Sequence, residues 1–165
     1  MKQKFSDAEI AAFLQKSYFA VDGLWFVKTE EKRGFDEAMD LDEAVWEVMP
    51  KIQARKARAL LGIDGNSLED LVKAFQLKLS AEGYDFDIEQ KDGEFLLKLR
   101  MCPWYEVVKS SNRHHVMESV THRICTMEFA GWTKEFANSA EFEFMDRLCM
   151  DPENCCECKM VFRGR

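Results

Sequence analysis

Positions spaced three and four apart run along the start of the chain. Ile10, Phe13, Leu14, Ser17, Val21, Leu24 and Trp25 predict one long amphipathic helix to about Glu31, with Gly34 as its stop. Ser6-Asp7-Ala8-Glu9 stands before it as a capping box, in which a hydroxyl and a carboxylate serve the first free backbone donors. A second helical stretch begins near Phe35 or Asp40 and carries Val45, Trp46, Ile52, Ala59 and Leu60. Pro50 should kink or split it. A third helix opens at Asn66-Ser67, turns Leu68, Leu71, Val72, Phe75 and Leu79 inward, and stops at Gly83.

After Gly83 the period becomes two. Tyr84, Phe86 and Ile88 alternate with Asp85, Asp87 and Glu89; Lys91-Asp92-Gly93 is a hairpin turn; Phe95, Leu97 and Leu99 share one side of the return strand. Cys102-Pro103 ends that strand and starts a helix, and a further helix covers roughly 116–130. Strands are expected over about 140–149, where Phe142 and Phe144 alternate with Glu141 and Glu143, and over 158–162, with a loop between. The order predicts an α+β fold: N-terminal helices followed by hairpin–helices–hairpin, with an antiparallel sheet covered by helices. The expected organisation is a single domain over 1–165, with a helical part at 1–65 and an α+β, ligand- and metal-binding part at 66–165.

Composition narrows the function. The 165 residues are 47% apolar, with 13 Phe and 4 Trp, enough for a real core. A net charge of −7 argues against a phosphate-backbone binder, so no nucleic-acid partner is expected. The four bases between Lys51 and Arg58 read as a solvated helix face. No apolar run approaches 18 residues, and acids follow the N-terminal residues, so neither a membrane span nor a signal peptide is expected. That reading is cytoplasmic. Phe13, Phe19, Trp25, Phe26 and Trp46 make the N-terminal third unusually aromatic, which points to a homodimer through the N-terminal helices.

All six cysteines lie from residue 102 onward: Cys102, Cys125, Cys149, Cys155, Cys156 and Cys158. A chain with its own core and no export signal favours a thiol or metal role over a disulfide scaffold. A hairpin loop brings Cys149 and Cys158 together, and Cys125 sits on the preceding helix. Asp146, three residues before Cys149, reaches them only if the strand end twists or bulges. Cys125, Asp146, Cys149 and Cys158 can complete a closed tetrahedral Zn shell, a structural site with no position open for substrate. Cys155 or Cys156 can replace Cys158, and reduced thiols without metal are the plain alternative. His115 and His122, seven apart, are the corresponding candidates for a zinc hydrolase, which needs an open position. No hydrolase, phosphate-loop or dinucleotide motif is present.

Trp104, Tyr105, His115, His122, Phe129 and Trp132, with Phe75, Phe95 and Met117, are the candidates for an aromatic enclosure around a small apolar or aromatic ligand. Ordinary core packing is the alternative for each of them.

The stretch Trp25-Phe26-Val27, Glu30-Glu31, Gly34, Ala38, Asp40, Val45-Trp46 and Ile52-Gln53-Ala54-Arg55 resembles a family of bacterial and archaeal cytosolic proteins of unassigned function. Those proteins are grouped with the L-2-amino-thiazoline-4-carboxylic acid hydrolase-like proteins. Cys102-Pro103, Cys125, Cys149 and Cys158 fit the same pattern. More distantly, the C-terminal two-thirds is similar to vinyl-4-reductase domains, which sense small molecules and hold a structural zinc. That resemblance implies Cys125, Asp146, Cys149 and Cys158 as ligands, with Asp where those domains usually have Glu. It also implies Trp104 as a pocket residue. Two functions follow as expectations: a non-enzymatic small-molecule sensor or carrier with a structural metal, or a hydrolase acting on a small cyclic amide-like or thiazoline substrate.

Overall fold

The computed structural model describes residues 4–137, 140–147 and 157–164. Two compact units divide the chain, 1–42 and 43–165. The helix that carries Pro50 and Arg58 belongs to the second unit.

The first unit holds α1 (Asp7–Arg33) and most of α2 (Phe35–Trp46). The Ser6 hydroxyl accepts from the Glu9 backbone N–H at 3.2 Å, and the Glu9 carboxylate accepts from the Ser6 N–H at 2.7 Å, so the capping box forms as expected. Gly34 ends α1 with its N–H on Glu30. Phe19 is buried and Asp22 half-buried; burial pushes the Asp22 carboxyl up to about 6. The rings of Phe26 and Phe35 meet edge-on at 6.1 Å.

The second unit begins with the end of α2 and continues through α3 (Met49–Leu61) and α4 (Leu68–Glu82). Pro50 lies in the first turn of α3, where its missing N–H costs nothing, and so separates α2 from α3. Ser67 and Asp70 form a second capping box, and Gly83 at φ 77° takes the left-handed turn that releases the chain into the sheet. β1 (Asp85–Lys91) and β2 (Glu94–Met101) pair as a hairpin across Gly93. Next come α5 (Pro103–Ser110), a 3₁₀ turn (His114–Val116), α6 (Met117–Val120), a π-helical turn (Thr121–Cys125), α7 (Thr126–Phe136), β3 (Glu141–Asp146) and β4 (Cys158–Arg163).

The four strands form one antiparallel sheet in the order β1-β2-β4-β3, with the two hairpins joined by β2 and β4. Phe95, Leu97 and Leu99 of β2, with Met160 and Phe162 of β4, turn inward against α4 and α7. Phe75 is the hub, with its ring centroid 5.4–6.3 Å from those of Phe95, Phe129, Trp132 and Phe162. The other face is charged: Arg100 bridges Asp85 and Asp87, Lys98 meets Glu89, and Arg163 reaches Glu94 and Glu143. This α+β architecture, helices packed on an antiparallel sheet, is the one the periodicity predicts. Among the described residues no helix is long and apolar enough to cross a membrane.

α3 and α7 approach most closely where Gly131 faces Pro50. A Cβ at Gly131 would lie 2.7 Å from the Pro50 Cβ. Arg58 fastens the same pair at one end, donating to the carbonyls of Ile63, Gly65 and Glu135 and lying over the Phe136 ring. Gly131→Ala gains about 1 kcal/mol in helix propensity, yet it should lower stability by about 1–2 kcal/mol net through overpacking. A urea titration checks it; a more stable variant would show that the two helices separate freely.

Candidate functional site

The first unexpected feature is charge in the core. Lys78, Glu82 and Glu128 are 4%, 6% and 4% exposed. Lys78 and Glu82 are four apart on the inward face of α4, and Glu128 lies in the first turn of α7. The Lys78 Nζ sits 2.8 Å from a carboxylate oxygen of each. Burial alone would drive the ammonium toward neutrality, but the two carboxylates overcome it and hold its pKa well above the ordinary lysine range. The Gln53 side-chain amide donates to Glu82 at 3.4 Å, and Lys78 also lies 5.4 Å from the centre of the Tyr84 ring.

Tyr84 connects this triad to the thiols. Gly83 swings the chain so that Tyr84 packs half-buried against the core, and desolvation of its hydroxyl pushes the phenol well above the ordinary tyrosine range. The Cys102 thiol donates to its hydroxyl at 3.8 Å, and the nearby Glu128 and Glu82 carboxylates add to the same upward shift. Cys102, next after β2, is thus engaged with Tyr84.

Cys125 closes the π-helical turn. A π turn inserts one residue into a helix, loosens its ladder and occurs often at functional sites. Here Arg147, just past β3, donates to the Thr121 carbonyl at 2.9 Å and to the Thr126 hydroxyl at 3.4 Å, and stacks on Phe144 at 3.7 Å. That clamp ties the end of β3 to the turn that carries Cys125.

The four expected metal ligands divide. Cys125 is half-buried on the π turn, and Cys158, the first residue of β4, faces the core. Asp146 reaches the opposite face, because an irregularity after Phe144 pairs it with Lys159, whose Nζ is 3.0 Å from its carboxylate. Cys149 lies outside the described residues, as do Cys155 and Cys156. Among the described residues no group of three or more His, Cys, Asp or Glu side chains is placed to hold a metal ion. Among the described residues, Cys102, Cys125 and Cys158 form no disulfide.

The six residues expected to line a ligand enclosure also separate. Phe129 and Trp132 are 3% and 1% exposed and belong to the ring cluster around Phe75, a filled core. Tyr105 is buried beside His114, while half-buried Trp104 meets Trp46 edge-on at 5.8 Å. His115 and His122 are exposed. Phe129 and Trp132 therefore belong to the packed core, and His115 and His122 face solvent. A groove of about 520 Å³ opens instead between α7 and β3, lined by Ala130, Thr133, Lys134, Phe142, Glu143 and Arg163. It is open and charged at its rim, and Thr133 already donates its hydroxyl to the Phe129 carbonyl.

Because Lys78 holds a raised pKa, its own contribution to stability is fully present below about pH 10.5 and is lost only as pH rises through that raised value. Lys78→Met leaves two carboxylates buried without their cation and should cost about 3–5 kcal/mol at pH 7.5. The stranded carboxyls would then titrate above the ordinary glutamate value of about 4.3, so the deficit should shrink at pH 5. Denaturant titrations at both pH values check this; an equal deficit at each would point to lost packing rather than stranded charge.

Searches of curated proteins and of solved structures return no match for this chain. Neither the hydrolase-like resemblance nor the vinyl-4-reductase resemblance gains support from them. One family is matched, over residues 3–158, nearly the full length. The chain belongs to this family, described as a family of unknown function (DUF6125).

Proposed function

We propose that this protein is a non-enzymatic small-molecule-binding protein, of sensor or carrier type, whose C-terminal half carries a structural metal centre. The observation that supports the reading is the gathering of thiol-bearing chain ends at one end of the sheet. β2 ends there at Cys102, β4 begins there at Cys158, and Arg147 ties the end of β3 to the turn that carries Cys125. Cys149 is two residues further along the chain from Arg147, and Cys155 and Cys156 directly precede Glu157.

In this reading Cys125, Cys149 and Cys158 supply thiolates to one Zn²⁺, and Asp146 completes the shell by leaving Lys159. The Asp146–Lys159 pair lies in solvent, so little is lost when it opens. Thiolate-rich shells of this kind select zinc. Cys102 stays outside the shell, engaged with Tyr84. The ligand is a small apolar or aromatic molecule, met by Trp104 and Tyr105 on α5. The protein works in the cytoplasm, where such thiols stay reduced, as a homodimer and without nucleic-acid partners.

Elemental analysis of the purified full chain, beside native and denaturing mass spectrometry, tests both halves. About one zinc per chain is expected, with a small molecule lost on denaturation. Chelation should lower Tm by about 5–10 °C if the metal contributes a few kcal/mol to folding. Cys149→Ser should lower it more than Cys102→Ser does. A protein that holds no metal, and whose melting curve a chelator leaves unmoved, would reduce the centre to six ordinary thiols.

A further inference from the structure

We propose that α1 packs antiparallel on the α1 of a second copy of this chain, with the two-fold axis passing at Ser17. The inference deepens the homodimer part of the proposed function and is independent of the metal centre. α1 is two-faced. Phe19 is buried and Asp22 and Phe26 half-buried along one side, while Phe13, Leu14, Val21, Leu24 and Trp25 are 57–73% exposed. At about 100° per residue, Ile10, Phe13, Leu14, Val21 and Leu24 all fall within about 60° of a line through Ser17, opposite the buried side. The stripe from Ile10 to Leu24 is about 21 Å long. Such a length of apolar helix calls for a cover.

Two features identify the cover as another α1. The stripe is nearly symmetric about Ser17, so reversing the helix sets Ile10 against Leu24 and Phe13 against Val21. That is what an isologous two-fold interface needs: one surface complementary to itself. Ser17 is small, and its hydroxyl already donates to the Phe13 carbonyl at 2.8 Å, so nothing polar is stranded where the helices cross closest. The charges then choose the direction. Lys28, which pairs with Glu31 at 2.7 Å, lies on the same line beyond Leu24, and Asp7 and Glu9 occupy the first turn. An antiparallel pair brings Lys28 beside the acidic first turn of the partner and opposes the two helix dipoles favourably. A parallel pair would set Lys28 against Lys28.

Light scattering on the full chain at 10–100 µM should return twice 19.3 kDa. Phe13→Glu places a charge on each side of the seam and should weaken association at least about 100-fold, while far-UV circular dichroism stays unchanged because Phe13 is 71% exposed. Orientation is read by cross-linking. Ile10→Cys mixed with a differently tagged Leu24→Cys should give a linked heterodimer, above the background of the parent chain, and Ile10→Cys alone should not link to itself. A parent that scatters at 19.3 kDa overturns both this interface and the homodimer. A dimer that survives Phe13→Glu, or an Ile10→Cys chain that links to itself, overturns this interface alone. The metal content moves in neither case, so failure here and failure of the metal centre are separable.

Discussion

A lysine ammonium held between two carboxylates, out of reach of water, is the constraint on which the second unit depends. Lys78 and Glu82 belong to α4 and Glu128 to α7, so the ion triad fixes how the two covering helices meet over the sheet. Its contribution to net stability is modest, because desolvation offsets much of the attraction, yet removing one partner is severe. The triad therefore acts more as a condition on geometry than as a source of stability. α4 can shift along α7 only by exposing a charge to the core. Glu82 is also the last residue of α4, next to Gly83, so the same pairing sets where the chain leaves the helix and places Tyr84 against the core just before β1.

α7 carries several duties within eleven residues. Glu128 meets Lys78, Phe129 and Trp132 fill the core, Gly131 allows α3 to approach, and Glu135 accepts from Arg55 and, through its carbonyl, from Arg58. These demands fall on different sides of the helix. The π turn before α7 inserts one residue and so changes the direction in which Cys125 and the residues before it point, relative to a continuous α-helix. Arg147 then satisfies the carbonyl at Thr121 that opens the turn. The thiol end of the sheet is thus attached to the core through a helix whose position the triad already fixes.

Local signals made most of the fold readable from sequence. Ser6 and Ser67 announce helix starts, Gly34 and Gly83 the stops, Pro50 the break, and Gly93 the first hairpin, because each works within about four residues. The joining of β2 to β4 depends on partners some sixty residues apart and leaves no local trace. The triad was partly legible: a stripe of Leu71, Phe75 and Leu79 already puts Lys78 and Glu82 on the inward face. What the sequence lacked was the identity of their partner, which comes from another helix. The core positions of Phe129 and Trp132 depend on distant partners in the same way. Phe129 and Trp132 have the chemistry of a pocket wall, but Phe75, Phe95 and Phe162 fill the space between them and the sheet. Residue type does not reveal such complementarity.

The sheet order has a consequence for how the chain reaches this structure. β1 and β2 close on each other across a two-residue turn, an event of about microseconds. β4 cannot join β2 until the whole helical segment from Pro103 to Phe136 has been laid down, and closing so long a loop is slow. During that interval β2 presents an open edge with Phe95, Leu97 and Leu99 on its apolar side, the kind of template on which chains mispair. The inner edge is sealed last, and the strand that seals it begins with Cys158. By loop length this edge is the slower to close, and Cys158 reaches its place beside β2 only as it does so.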